Sequence, residues 1–526
     1  MDLIIRGAQV VDGDGGPRYR ADVGLAEGRI AAIGGQLSGR RSIDADGLVL
    51  APGFVDMHAH SDLQLLAEPD HTAKVSQGVT LEVIGQDGLS YAPVDDAALE
   101  TLRGQIAGWN DDPPGFDWDW RTVAEYLDRL DRGIATNAAY LVPHGTLRLL
   151  CAGYEDRPVT ADELDRMRAV LAESLRQGAF GLSSGLTYTP GMYADTAELT
   201  ALCEVVAAHG GFHSTHHRSY GAGALAAYAE MLEVSRRSAC PLHLAHATMN
   251  FRVNRGRAGE LLAMLDRALD EGCDVTLDSY PYLPGSTSLH ALLPSWSMAG
   301  GMQPTLERLR DPVLRGRIRH ELEVTGSDGC HGVPVEWETI VVSGVREAGN
   351  EHLVGRSVAE AARAVGTQPT EFYLDVLVSE RLGASCLMHV GHEDNVRAIM
   401  RHRVHTGGSD GLLVGARPHP RAWGTFPRYL GHYARETGVL GLEECVAHLT
   451  SRPADRLGLA DRGRIREGNA ADLVLFDPET VSDTATFENP RQQAAGIPHV
   501  FVNGAAVIED GRRTDALPGR ALRANS

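Results

Sequence analysis

Lysine is nearly missing from this chain: Lys74 is the single lysine among 49 Lys and Arg residues. Any chemistry built on a reactive or modified lysine therefore has one candidate position. Long apolar runs are missing too. No stretch approaches the roughly 18 residues needed to span a bilayer, so no membrane partner is expected. Positive charge is in deficit, with 49 Lys and Arg against 70 Asp and Glu and a formal net charge of −21. That is the wrong sign for binding nucleic-acid phosphates or anionic lipid surfaces. Paired cysteine motifs are also lacking. The seven cysteines are odd in number, widely scattered and without a Cys-x-x-Cys spacing, which fits reduced thiols in a cytoplasmic protein. The first residues, Met1-Asp2-Leu3, lead straight into strand-like alternation with no basic segment before an apolar core, so no secretory signal is expected.

What remains is ordinary globular composition, with 43% hydrophobic and 23% charged residues over 526 positions. That length suits two to four domains, or one large α/β barrel with an appendage. The first fifty residues alternate as antiparallel strands around the turn Asp12-Gly13-Asp14-Gly15-Gly16. The same style returns in Ala471 to Phe476 and in His499 to Gly504. Both chain ends, residues 1–53 and 463–526, are therefore expected to build one small β-sandwich domain.

From Phe54 the pattern turns to helix and strand in repeating units. Thr160-Ala161-Asp162-Glu163 forms a capping box, followed by Leu164, Met167, Leu171 and Leu175 at helical spacing. Units of roughly 30 residues with short connections mean parallel strands and crossover helices. Candidate strands end near His60, Asp87, His144, Ser184, His217, His246, Tyr280 and Asp410. Eight such strands close a (β/α)8 TIM-like barrel over residues 54–462. The long interval between Tyr280 and Asp410 holds an insertion, and its part near 287–345 is a candidate lid, with Leu292, Leu293, Trp296 and Met298 beside Gly300 and Gly301.

The chemistry-bearing residues sit at strand ends. His58-Ala59-His60 closes the apolar run Phe54 to Met57, and alternate strand residues face one side, so both imidazoles point to one place at the barrel mouth. Neutral imidazole is a good Zn²⁺ ligand. His216 and His246 end later strands, each beside a histidine that could be mistaken for it (His213, His217, His243). Asp410 ends the last strand in Gly408-Ser409-Asp410-Gly411. A near copy, Gly326-Ser327-Asp328-Gly329, follows no barrel strand and reads as a surface turn.

Pro52-Gly53-Phe54-Val55-Asp56-Met57-His58, the run Phe180 to Tyr188, and Gly408-Ser409-Asp410-Gly411 followed by His419 to Arg428 together resemble the N-acyl-D-amino-acid deacylases (D-aminoacylases) of the metal-dependent amidohydrolase superfamily. The resemblance spans nearly the whole chain. It implies one or two Zn²⁺ ions, or other divalent transition metals, held by His58, His60, His216, His246 and Asp410. The family adds a cysteine in a Gly-Asn-Cys-Gly turn after the second strand. Here that turn reads Gly85-Gln86-Asp87-Gly88, so Asp87 is the expected ligand in its place, a harder donor than sulfur. Other superfamily members bridge two metals through a carboxylated lysine on the fourth strand. Lys74 lies just after the first, which excludes that arrangement.

Asp410 is the expected catalytic residue, a general base toward water and then an acid toward the leaving amine. The resemblance implies that Arg421, Tyr188 and Tyr280 bind the substrate, the guanidinium matching a free carboxylate. Thr248 stands where the family commonly has lysine, and Ser219-Tyr220 where it has Asn-Glu. The expected partner is a small molecule, an N-acyl amino acid of D configuration. The alternatives are a cyclic amide hydrolase of the hydantoinase or dihydropyrimidinase type, and a non-catalytic barrel scaffold.

Overall fold

The computed structural model describes residues 1–524; the last two residues of the expected β domain lie outside them. The centre is a parallel eight-stranded sheet. Its strands are Phe54–Asp56, Val79–Ile84, Asn137–Pro143, Gly181–Gly185, Phe212–His216, Leu242–Leu244, Val275–Ser279 and His405–Gly407, each paired to the next in that order. The ring closes where Met57 donates its N–H to Gly407 O at 3.1 Å and Asp410 donates to His58 O at 2.7 Å. This is the expected (β/α)8 barrel.

The helices follow their sequence signals. Thr160 and Glu163 form a full capping box on helix Ala161–Arg176, whose Met167, Leu171 and Leu175 are buried against the strands. Asp195 caps helix Thr196–Ala208 by accepting the Glu198 N–H at 2.8 Å. Lys74 lies on the short helix Thr72–Val75, between the first and second barrel strands.

The two chain ends meet in one mixed nine-stranded sheet, with Val49–Pro52 pairing antiparallel to Leu473–Phe476 at its middle. Alternation gives these strands two buried faces. Leu50, Leu473, Leu475 and Phe501 enter the sheet's own core with Ile5, Val23 and Ile30. Val49, Ala51, Val474, Phe476 and Val500 pack instead with Phe54 and Phe426 of the barrel. The β appendage is thus bonded to the barrel through a shared apolar layer.

The insertion expected near 287–345 lies inside a larger unit. Its three-stranded antiparallel sheet takes Gly285–Ser288, Ile340–Gly344 and Ser385–Met388. Leu289, Leu293, Met298, Trp337, Tyr373 and Cys386 share a core of their own. Leu293 and Met298 thus face that core, while Trp296 is half-buried, its indole N–H donating to Glu321 at 2.9 Å. A fixed interior, rather than a flap of exposed apolar residues, holds the segment together. Both stems pass through one neck, where a Cβ on Gly391 would lie 2.1 Å from Leu283 O.

Candidate metal centre

Six residues converge at the carboxyl ends of the barrel strands. His58, His60, Asp87 and Asp410 form one group of donors and Asp87, His216 and His246 a second, with Asp87 common to both. All six are buried. The Asp87 carboxylate lies 3.5 Å from His58 Nε2, 3.5 Å from His60 Nε2, 3.5 Å from His216 Nδ1 and 3.6 Å from His246 Nε2. His58 Nε2 and His60 Nε2 are 3.3 Å apart, and Asp410 Oδ1 stands 3.2 Å from His60 and 3.8 Å from His58. In the second group His216 Nδ1 and His246 Nε2 are 3.0 Å apart.

The backbone aims these side chains at some cost. Asp87, His246 and Asp410 have φ of 55°, 31° and 48°, a region that non-glycine residues seldom occupy and that concentrates at functional sites. Around Asp87 the turn is forced. Gly85 and Gly88 have φ of 78° and 73°, and a Cβ on them would lie 2.2 Å from Leu141 O and 2.6 Å from Gly185 N. Gly85 donates its N–H to Asp62 at 2.8 Å, and Gln86 reaches Met57 O at 2.7 Å. Asp87 Oδ1 is left with no hydrogen-bond partner in the protein. Its carboxylate is therefore turned toward the histidines rather than spent on capping its own loop.

These residues fit a divalent transition metal. Donors about 2.1 Å from a tetrahedral Zn²⁺ lie roughly 3.4 Å from one another, which the spacings above bracket. Neighbouring groups fix the rings. Thr187 Oγ1 is 2.6 Å from His216 Nε2, and Tyr220 OH is 3.2 Å from His246 Nδ1. Asp278 lies 3.6 Å from His58 Nδ1 and accepts the backbone N–H of His246 at 2.9 Å, which holds the peptide that carries that ring. Burial disfavours charge on His58, yet Asp87 and Asp278 outweigh it and push its pKa well above the usual value. Burial would likewise raise Asp87, but His58, His216 and His246 hold it well below the carboxylate range. A bound cation would offset the Asp87 charge in the same way.

The histidines that could have been confused with these point elsewhere. His213 meets Ser184 Oγ at 2.8 Å, His243 meets Asp278 at 2.9 Å, and His217 stacks between Tyr220 and Tyr228.

A cavity opens over the donors, lined by His60, Asp87, His216, His246 and Asp410 together with Tyr188 and Tyr280. Tyr188 OH is 2.9 Å from Thr287 Oγ1, which ties the wall to the insertion. Arg421 does not line this cavity. It is fully buried behind Asp410, with Nη2 2.8 Å from Asp410 Oδ2 and its guanidinium carbon 4.4 Å from the centre of the Tyr280 ring. Its Nε and Nη1 have no partner. Burial would raise the Asp410 carboxyl, but Arg421 foremost, with His60, holds it at about 2.

Several lining residues escape the sequence patterns. Trp109 packs against His60 and Tyr188, each with ring centres 5.0 Å away, and its Nε1 has no partner. His331 and Gly329 also line the cavity. Gly329 comes from the Gly-Ser-Asp-Gly copy expected to be a surface turn, of which only Asp328 is exposed, and His331 follows two residues later. The insertion supplies Gly329 and His331, and the short helix Ala107–Asn110 supplies Trp109, so none of them stands at a barrel-strand end.

Residues 41–508 match the family described as amidohydrolases. The chain belongs to the amidohydrolase family. N-acyl-D-glutamate deacylase of Alcaligenes xylosoxydans xylosoxydans is 39% identical to this amidohydrolase over 99% of the chain and 96% of the relative. D-aminoacylase of the same organism is 37% identical over 99% of the chain and 97% of the relative. A crystal structure of N-acyl-D-glutamate deacylase from Bordetella bronchiseptica, complexed with zinc and a phosphonate mimic of the tetrahedral intermediate, covers 100% of each chain at 35% identity and a TM-score of 0.84.

Proposed function

We propose that this amidohydrolase cleaves the linear amide bond of N-acyl-D-amino acids, giving a carboxylic acid and a free D-amino acid. The single observation that carries the reading is the convergence of six buried donors in two groups that share Asp87, in a chain similar to deacylases along its whole length. His58, His60, Asp87, His216, His246 and Asp410 would hold one or two Zn²⁺ ions. When bound, such an ion acidifies water and polarises a carbonyl.

The side chains do the rest. Asp410, kept ionised by Arg421, accepts a proton on Oδ1 and returns it to the departing amine nitrogen, because an amide leaves poorly unless protonated. Tyr188 and Tyr280 shape the cavity wall around the substrate. Arg421, expected from the resemblance to bind the substrate carboxylate, lies fully buried outside the cavity and serves Asp410 instead. Trp109 and the insertion exclude water from the donors. Residues 54–462 form the catalytic unit, and residues 1–53 with 463–526 its β domain. A cytoplasmic setting is supported by seven free cysteines. No helix among the described residues is long and apolar enough to cross a membrane.

The test is a panel of N-acyl D- and L-amino acids and hydantoins, assayed with zinc-reconstituted protein. Turnover of N-acyl-D-amino acids is expected. Turnover confined to hydantoins would replace the reading with cyclic amide hydrolysis, and no turnover with no bound metal would leave a scaffold.

A further inference from the structure

The one lysine of the chain is fully buried beneath the donors, and the amide chemistry has no use for it. Its ammonium donates to Asp56 Oδ2 at 2.6 Å and Ser409 Oγ at 2.8 Å, and forms an ion pair with Glu82 Oε2 at 3.3 Å. Each partner is tied to a different ligand segment. Asp56 Oδ1 accepts the backbone N–H of Ser409 at 2.7 Å and of His58 at 3.2 Å. Ser409 Oγ donates to Asp56 Oδ2 at 2.6 Å and accepts the N–H of Gly411 at 3.1 Å, so the peptide on either side of Asp410 is held. Glu82 accepts from Ser61 Oγ at 2.7 Å, next to His60, and is 2.6 Å from His71 Nε2.

We propose that Lys74 is a positioning residue, a buried point charge that locks the segments carrying His58, His60 and Asp410 into one frame. Asp56 and Glu82 are both fully buried beside the same ammonium and would repel if no cation stood between them. The cation must be compact, with donors diverging in three directions. An ammonium has that shape, whereas a planar guanidinium directs its donors in a fork. Everywhere else this chain supplies positive charge with arginine, which singles out the one place where it does not.

The inference rests on the metal site proposed above but not on the identity of the substrate, and the test separates the two. Full-length Ser409→Ala and Lys74→Arg proteins are compared with the parent by Zn²⁺ titration, by the visible spectrum of the Co²⁺-loaded form, by Tm, and by kcat and KM on the best N-acyl-D-amino acid. Ser409→Ala removes the hydroxyl ties to Lys74, Asp56 and Gly411 but leaves the Lys74–Asp56 charge pair, so it reports even if Lys74→Arg fails to fold. Expected for Ser409→Ala is a Tm near the parent's, a changed Co²⁺ spectrum, Zn²⁺ affinity at least about tenfold weaker, and kcat at least about tenfold lower at saturating metal with KM little changed, the scale typical of groups that orient metal ligands. Lys74→Arg, if folded, should show the same losses although the charge is kept. If the parent turned over no substrate while the metal and spectral changes still appeared, the clamp would stand and the deacylase reading would fall. Parent-like Zn²⁺ affinity, spectrum and kcat in Ser409→Ala would overturn the proposal, as would full activity in Lys74→Arg.

Discussion

Asp87 is where the two donor groups meet, and what it offers is oxygen. A thiolate at this position, as in the family the sequence resembles, would bias the site toward soft-ligand metals; a carboxylate gives up that bias. The expected outcome is that Mn²⁺, Co²⁺ and Zn²⁺ support turnover within a narrow spread in the parent, and that Asp87→Cys widens the spread in favour of Zn²⁺. Metal titration of Asp87→Ala gives the cruder check. Loss of a ligand should weaken affinity by at least about tenfold, whereas loss of a turn cap would cost only about 0.5–2 kcal/mol of stability, by analogy with helix caps. Parent-like affinity would remove Asp87 from the site. Asp410 carries a different burden. Asn is nearly isosteric and could still meet Arg421, but it cannot accept a proton. Asp410→Asn should therefore fold normally and lose roughly 10²–10⁴-fold in kcat, and a variant retaining a tenth of parental turnover would rule out the acid–base role.

The strand ends bring these residues together, and the insertion roofs them. Ser286, Thr287, Leu292, Gly329, His331 and Met388 reach the cavity from that unit, which has an apolar core of its own. Displacing the neck should move the roof as a body. Gly391→Ala puts a methyl group where Leu283 O already stands. Metal content should stay at the parent's level while kcat/KM falls by up to about 10²-fold, the scale expected when positioning slips by an ångström. Parallel loss of metal would instead mean that the barrel itself had been disturbed. The barrel strands could be read from repeating helix and strand units, and the strand-end histidines and Asp410 from their places at one mouth, whereas Asp87 was named as a ligand only through the family resemblance. Insertion residues carry no such rule: Ser385–Met388 pairs with strands about 45 and 100 residues upstream, and nothing local announces that. Trp109, on the short helix Ala107–Asn110, and His331, in the insertion, were not legible because tertiary packing alone brings them to the cavity. Arg421 was legible as a residue near the site, but its burial behind Asp410 was not, because a sequence does not say which carboxylate a guanidinium will choose.

At the scale of the molecule, the chain leaves the β sheet at Pro52, builds the barrel and returns at Leu473 to pair beside the strand it left. The similar alternation of the two ends made that return readable; the exact register, set by long-range pairing, was not. The first barrel strand therefore continues directly from the joining sheet, and the buried charges beneath the donors lie close to the junction of the two units. Glu82 is the most exposed to test by acid. Burial opposes its charge, but His71 and Lys74 outweigh it and hold its pKa well below the usual range. Its folded value lies below the unfolded one of about 4.3, so its contribution to stability is complete above pH 4.3 and is lost as pH falls through the lowered folded value. Glu82→Gln removes that dependence and leaves Lys74 with Asp56 alone. At pH 7 the variant should be less stable by about 3–5 kcal/mol, the usual range for breaking a buried ion pair. Its Tm should then fall less steeply than the parent's below pH 4, so that the two curves converge in acid. Measured by calorimetry on metal-free protein, curves that stayed parallel down to the acid limit would show that Glu82 carries no charge-linked stability.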